Sequence, residues 1–315
     1  MNIEELIGKA VKLVILGHVR PDGDCIGSCL GLANYIWDNC PEKQLEIFTE
    51  QFSDTFMLLN GAEKIRHDFE NAGDFDLAIA VDVSDRNRLG AGAECFDKAV
   101  RTLCIDHHFT NEGFADENII DSKASAASEL MAMLLDDEKI SLNTAECLYL
   151  GIVHDTGVFK HSNTTQRTME TAGRMISKGV NTSRIIDDTF YKKTYLQNLL
   201  LGEALISSRL YLDGKCIVGV VSSEKLKSMG AGAKDADGIV DQLRVTDGVK
   251  CTVFLYGLEK GGYKASLRSD EDIDVSVIAS AFGGGGHVRA SGCNVLGTLE
   301  EAVNSLLEEI KKQIR

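Results

Sequence analysis

Histidine and aspartate recur in four short clusters: His18, Asp22 and Asp24 in HVRPDGD, Asp82 in VDVSD, the triplet Asp106-His107-His108, and Asp155 in GIVHDTG. Carboxylates mixed with imidazoles, without thiolates, suit Mn²⁺, Co²⁺, Fe²⁺ or Mg²⁺ better than a structural zinc. One open catalytic ion does not need so many ligands. Two ions about 3.5–4 Å apart, sharing a bridging carboxylate, would use them all. Taken singly, each cluster has a plainer reading: Asp22 and Asp24 as turn residues after Pro21, and Asp82 as an N-cap at a strand-to-helix turn. Four clusters at corresponding places favour a common site.

The surrounding elements define those places. Val11–Leu16 is a continuous apolar run, as expected of a strand buried on both faces, and similar runs lie at Leu45–Phe48, Leu77–Val83 and Val100–Ile105. Ile26, Leu30, Ala33 and Trp37 recur at helical spacing before Pro41; Ala127, Leu130, Met131 and Leu134 mark a second helix. Asn143 with Glu146 reads as a capping box for a third helix carrying Leu148 and Ile152, and Gly179 closes a fourth with Met169, Ala172 and Ile176. This alternation predicts an α/β fold with a doubly wound, mainly parallel sheet over residues 1–190. Three of the four clusters then fall just past strand carboxyl ends, where such sheets bind ligands, and Asp155 ends a helix.

Thr189 to Leu210 reads mostly as helix, so residues 191–211 are expected to form a helical linker. A smaller α/β domain with a mixed sheet is expected over residues 212–315, with a cleft between the two domains. Its strands are Cys216–Val221, Val249–Tyr256 and Tyr263–Leu267, with a hairpin turn at Lys260-Gly261-Gly262. Its helices run at about Asp272–Phe282 and Leu299–Ile314, the latter capped by Thr298 with Glu301.

Composition narrows the partners. The chain has 315 residues and a formal net charge of −15, with no Lys/Arg run. A protein that tracks long duplexes normally carries a basic stripe to neutralise phosphates, so long duplex nucleic acid is an unexpected partner. A small anionic substrate remains compatible, because bound cations can invert the field inside a cleft. No apolar run approaches the roughly 18 residues of a membrane span, and the N-terminus lacks the pattern of a signal peptide. Nine cysteines without a CxxC pair read as reduced thiols, and a cytoplasmic location without membrane association is expected. Cys25 and Cys29 read as packing residues.

HVRPDGDCIGS, VDVSD, IDHH and GIVHDTGVF, in this order, resemble the four motifs of the DHH phosphoesterase superfamily; SLRSD and FGGGGHVRASG resemble its associated C-terminal domain. The resemblance implies two divalent ions, Mn²⁺ first with Mg²⁺ or Co²⁺ as alternatives. His18 and Asp22 would hold one, Asp24, His107 and Asp155 the other, and Asp82 would bridge them. It further implies Asp106 behind His107, His108 facing the substrate as a catalytic group, and a metal-bridging hydroxide as attacking group. In the second domain Arg268, Ser269, Gly284, Gly285, Gly286, His287 and Arg289 would bind substrate, since exposed backbone N–H groups and guanidinium forks cradle anions. The two-domain pattern is most similar to the bifunctional oligoribonuclease and pAp-phosphatase group, which implies short oligonucleotides, linear dinucleotides such as pApA, or nucleotide bisphosphates as substrates, and a homodimer as a family-level expectation. A RecJ-like exonuclease, a family II-type pyrophosphatase and a metal-dead nucleotide-binding module are the alternatives.

Overall fold

The computed structural model describes residues 3–69, 73–270 and 272–314. They form two compact units that divide at Lys192/Lys193.

In the first unit, β1 (Lys12–Leu16), β2 (Gln44–Phe48), β3 (Leu77–Val81), β4 (Arg101–Asp106) and β5 (Glu117–Ile120) form one sheet in the order β2-β1-β3-β4-β5. Every pairing is parallel. The central strands KLVIL and LAIAV are apolar without alternation because both faces are covered. Leu13, Ile15, Ile79, Val81, Leu103 and Ile105 enter one core, with residues of helices α1 (Ile3–Lys9), α2 (Gly23–Asn39), α4 (Ala127–Leu134), α5 (Leu142–Asp155), α6 (Gln166–Ser177) and α7 (Thr182–Ile186). Val14, Leu16, Ala78 and Ala80 enter a smaller one with Phe48, Phe75 and the short helix α3 (Ala93–Lys98). The α/β, doubly wound reading therefore holds.

The start of α5 differs from expectation. α5 starts two residues early because Ser141, not Asn143, is its N-cap and accepts from Thr144 N–H at 3.3 Å. Gly179, which follows the C-cap Lys178 and has positive φ, closes α6 as expected.

The second unit has a mixed six-stranded sheet, ordered β10-β11-β9-β8-β7-β6, from β6 (Arg209–Tyr211), β7 (Cys216–Val221), β8 (Cys251–Gly257), β9 (Tyr263–Ser269), β10 (Gly285–His287) and β11 (Ala290–Val295). Only β7–β8 is parallel. On one face lies the core of α8 (Tyr195–Ser207), α9 (Ser223–Met229) and α10 (Ile239–Arg244), on the other that of α11 (Val275–Ala281) and α12 (Leu299–Lys311). Residues 193–207, expected within a connector, belong to this unit because Leu200 and Ala204 of α8 are buried with Ile217, Val221 and Leu243. The helical reading of Thr189–Leu210 stops at Ser207; Arg209–Tyr211 pairs with β7 instead.

Candidate metal centre

His18 follows β1, Asp82 follows β3, and Asp106 closes β4. In a 2-1-3-4-5 parallel sheet the crevice opens where β1 and β3 part, and side chains from both strand ends border it. Asp155 arrives differently, at the end of α5. A Cβ on Gly27 would lie 2.6 Å from the Cys147 carbonyl, so α2 and α5 pack almost backbone to backbone. This approach brings the end of α5 to the start of α2. Gly151 is under the same constraint: a Cβ there would overlap Ser128 Oγ and lie 2.6 Å from Asp24 Oδ1. Gly151→Ala is expected to cost about 1–3 kcal/mol through overpacking, lowering the melting temperature by several degrees in a thermal melt.

His18 Nε2 lies 3.4 Å from Asp82 Oδ2 and 3.9 Å from Asp22 Oδ1. His107 Nε2 lies 3.5 Å from Asp82 Oδ1 and 3.8 Å from both Asp24 Oδ2 and Asp155 Oδ2. These separations are too long for hydrogen bonds, and buried Asp82 Oδ1 has no hydrogen-bond partner. They approach the spacing of neighbouring ligands around one ion, about 3–3.5 Å for bonds of about 2.0–2.2 Å. Asp82 thus turns one oxygen to each histidine. Its φ of 60° is unusual for a residue other than glycine, the kind of strain that collects at functional sites. Three groups of candidate ligand atoms lie within 4.8 Å of one another: His18/Cys25/Asp82, Asp82/His107/His108 and Asp24/His107/Asp155. Cys25, read from sequence as packing, therefore offers its Sγ to the first group. Asp22 is not in these groups; its Oδ1 caps α2 by accepting from Asp24 and Cys25 N–H at 3.0 and 3.1 Å.

The electrostatics fit a cation. Burial, reinforced by Asp82 and Asp155, holds the Asp24 carboxyl well above the usual range. Burial and the neighbouring Asp82 and Asp22 charges push Asp155 up to about 6. Burial opposes protonation of His107, but Asp82, Asp24 and Asp155 outweigh it and raise the imidazole to about 10. His18 is likewise raised by Asp22 and Asp82 against its burial. A divalent cation among these groups favours ionised carboxylate and neutral imidazole, and so relieves both kinds of shift together.

Surrounding groups fix the orientations. His18 Nδ1 lies 2.8 Å from the Val19 carbonyl; donation there leaves the Nε2 lone pair free for an ion. Arg88, whose guanidinium can only donate, brings Nη2 to 3.0 Å from the same ring nitrogen, a contact that the other tautomer would accept. Asp24 accepts from Ala127 N–H at 2.6 Å and Ser128 N–H at 3.0 Å, the open N-terminus of α4. Asp106 differs from expectation. It does not support His107, whose Nδ1 faces the Ala124 carbonyl at 3.3 Å; it pairs with His108 Nδ1 at 2.7 Å. Asp106 closes β4, and its other oxygen is taken by Asn111 Nδ2 at 2.7 Å, so its free acceptor meets the second histidine. Asn111, Asn163 and Glu129 went unnoticed in the sequence. The missing capping side chain at Ala126 signals Asp24, the acceptor at that helix start, and none of these three.

In the second unit the expected substrate residues divide. Ser269 is buried and donates to the Ile273 carbonyl at 2.6 Å, so its hydroxyl supports the loop rather than a ligand. Arg289 donates to the Asp270 and Ile273 carbonyls and has the same structural use. Arg268 faces Asp241, Nε to Oδ1 at 2.9 Å, which orients its guanidinium and offsets its charge. Gly284 and Gly286 serve close packing: a Cβ would lie 2.5 Å from Cys293 Cβ at the first and 2.6 Å from the Ala290 carbonyl at the second. Gly285 faces open space, and His287 is exposed on edge strand β10.

A parallel sheet whose strand ends carry these aspartates and histidines in this order defines the DHH phosphoesterases, and the chain belongs to that family. Residues 12–152 match the DHH family N-terminal domain and residues 213–315 the DHHA1 domain. The chain is 28% identical to the bifunctional oligoribonuclease and PAP phosphatase NrnA of Thermus thermophilus, covering 100% of this chain and 94% of the relative. It is 28% identical to the cyclic-di-AMP phosphodiesterase PdeA of Listeria monocytogenes, covering 98% of this chain but 48% of the relative. An exopolyphosphatase-related protein from Bacteroides fragilis, solved by crystallography, superposes with a TM-score of 0.86 at 26% identity, covering 98% of this chain and 94% of that one. No helix among the described residues is long and apolar enough to cross a membrane.

Proposed function

We propose that the protein hydrolyses short oligonucleotides, linear dinucleotides such as pApA, or 3′-phosphoadenosine 5′-phosphate, using two divalent ions, with Mn²⁺ the first candidate. The observation that carries this reading is Asp82, which presents one oxygen to His18 and the other to His107, each within 3.5 Å. His18 and Asp22 would hold one ion, Asp24, His107 and Asp155 the second, and Asp82 both. Bound there, such ions would screen phosphoryl charge and bring the pKa of water near neutrality. His108, steadied by Asp106, is placed to hold or deliver a proton at the leaving oxygen. In the second unit, Arg268, His287 and Gly285 retain the groups that would bind a substrate anion.

Phe109 supports a nucleotide over an inorganic substrate. It directly follows His108, is 88% exposed, and stands on a turn closed by Asn111 N–H donating to the His108 carbonyl at 3.1 Å. An aromatic face presented beside the site suits a nucleobase. Phe109→Ala is expected to raise KM for pApA about 5- to 150-fold, for a stacking contact of about 1–3 kcal/mol, without altering thermal stability. An unchanged KM would remove the stacking contact from the reading.

The deciding experiment is a panel of pApA, short RNA, 3′-phosphoadenosine 5′-phosphate, pyrophosphate and long single-stranded DNA, assayed with and without Mn²⁺. Mononucleotide release from the short substrates, or phosphate release from the bisphosphate, is expected. Hydrolysis confined to pyrophosphate, or processive degradation of long DNA, would replace this reading with one of the alternatives.

A further inference from the structure

Asp24, His107 and Asp155 come from three distant parts of the chain, yet one short stretch holds all of them from behind. Asp24 accepts from Ala127 and Ser128 N–H, and His107 Nδ1 faces the Ala124 carbonyl. Asn163 Nδ2 joins the Ser125 carbonyl, at 3.0 Å, to the Asp155 carbonyl, at 3.1 Å, with the Asp155 Oδ2 3.4 Å away. Any shift of residues 124–128 would therefore move the three groups apart together.

What pins that stretch is a carboxylate outside every candidate ligand group. Glu129 is fully buried. Its Oε2 accepts from Ser125 N–H at 3.0 Å, Ser125 Oγ at 2.5 Å and Thr168 Oγ1 at 2.9 Å; its Oε1 accepts from Arg167 Nε at 2.6 Å. Arg167 Nη1 in turn reaches Asp121 Oδ2 at 2.8 Å, just past β5 and ahead of the same stretch. Burying a carboxylate is costly unless it is paired and fully hydrogen-bonded, and here every partner lies on the stretch or on the helix bracing it. Glutamine cannot replace it, because an amide group would set N–H against the Ser125 and Thr168 donors or the Arg167 guanidinium. His18, by contrast, is held by Val19, and no hydrogen bond in this network reaches it.

We propose that Glu129 is a positioning residue for one cation site only: through residues 124–128 it sets the convergence, and so the ion affinity, of Asp24, His107 and Asp155, leaving the His18 side to be set independently. This rests on the two-ion reading above. The test is calorimetric titration of chelator-stripped full-length protein with Mn²⁺, wild type against Glu129→Gln, with Phe96→Leu, in the core on the opposite sheet face, as a control for lost stability. Two binding steps are expected in the wild type. In Glu129→Gln one step should weaken about 10- to 100-fold, the usual cost of losing a supporting partner, while the other stays unchanged. Phe96→Leu should lower the melting temperature and leave both steps intact. Equal weakening of both steps in Glu129→Gln, or the same weakening in Phe96→Leu, would overturn the proposal. Should Glu129→Gln fail to fold, Ser125→Ala decides: a smaller selective loss supports the proposal and unchanged binding refutes it. A wild type that binds fewer than two ions would instead sink the two-ion reading itself.

Discussion

Asp82→Asn is expected to abolish hydrolysis while leaving the fold intact. Asparagine matches the shape of aspartate and tolerates the left-handed backbone that Asp82 adopts at φ 60°, so the strain is not increased. What changes is charge. Asp82 is the carboxylate facing both His18 and His107, and an amide there cannot offer an anionic oxygen to each side. Removing the charge shared by two cations forfeits several kcal/mol of electrostatic stabilisation, hence a loss in kcat/KM of about a thousandfold or more. The variant should also lose the stabilisation that metal binding gives the native state, about 2.7 kcal/mol when the ion is at a hundred times its dissociation constant. Melting curves with and without Mn²⁺ would show it: a rise in melting temperature for the wild type and little or none for Asp82→Asn. A variant that kept both the rise and full turnover would remove Asp82 from the centre.

Much of this centre was legible in the sequence, because the fold that displays it is written in hydrophobic runs. Strands buried on both faces, such as Leu77–Val81, leave no ambiguity of period, and their carboxyl ends then locate His18, Asp82 and Asp106. Asp155 was legible as a ligand type but not by position. Its approach depends on glycines that let α2 and α5 touch, and a glycine does not announce which helix it will meet. The supporting groups were the hardest to see. Glu129 and Asn163 act through hydrogen bonds between residues 38 apart, and the orienting acceptors for His18 and His107 are backbone carbonyls, which leave no mark in a side-chain pattern.

The second unit is less directly legible. Its glycine-rich segment reads as a phosphate cradle because glycine exposes N–H groups, yet Gly284 and Gly286 are required by the tight pairing of β10 on β11. Both demands select the same residue, so composition cannot separate them. Arginine is similarly ambiguous: Arg289 meets backbone carbonyls, whereas Arg268 meets the Asp241 carboxylate, which orients its guanidinium without removing it from the proposed anion site. Sites built at strand ends are more readable than sites built from turns, since the register of a buried strand is fixed by its core.

The pairing of Asp106 with His108 separates the roles of two adjacent histidines and yields the second large effect. His107 turns Nε2 toward Asp24, Asp82 and Asp155, so His107→Ala should remove an ion together with activity. His108 is held through Nδ1 by Asp106, leaving its Nε2 for a substrate, so His108→Ala should keep the metal content and lose about 10²- to 10⁴-fold in kcat, the usual worth of a positioned proton donor. Asp106→Asn tests the link between them. The Asp106 carboxylate, ahead of the opposing effect of burial, holds the His108 imidazole above its ordinary value. Without that charge the raised pKa falls, so the proton on His108 is lost at lower pH. If His108 works as the acid, the alkaline limb of the pH–rate profile should move toward lower pH in Asp106→Asn, with two ions still bound by elemental analysis. Loss of metal in both histidine variants, or a profile unmoved in Asp106→Asn, would show that His108 belongs to the ion cluster and does not donate the proton.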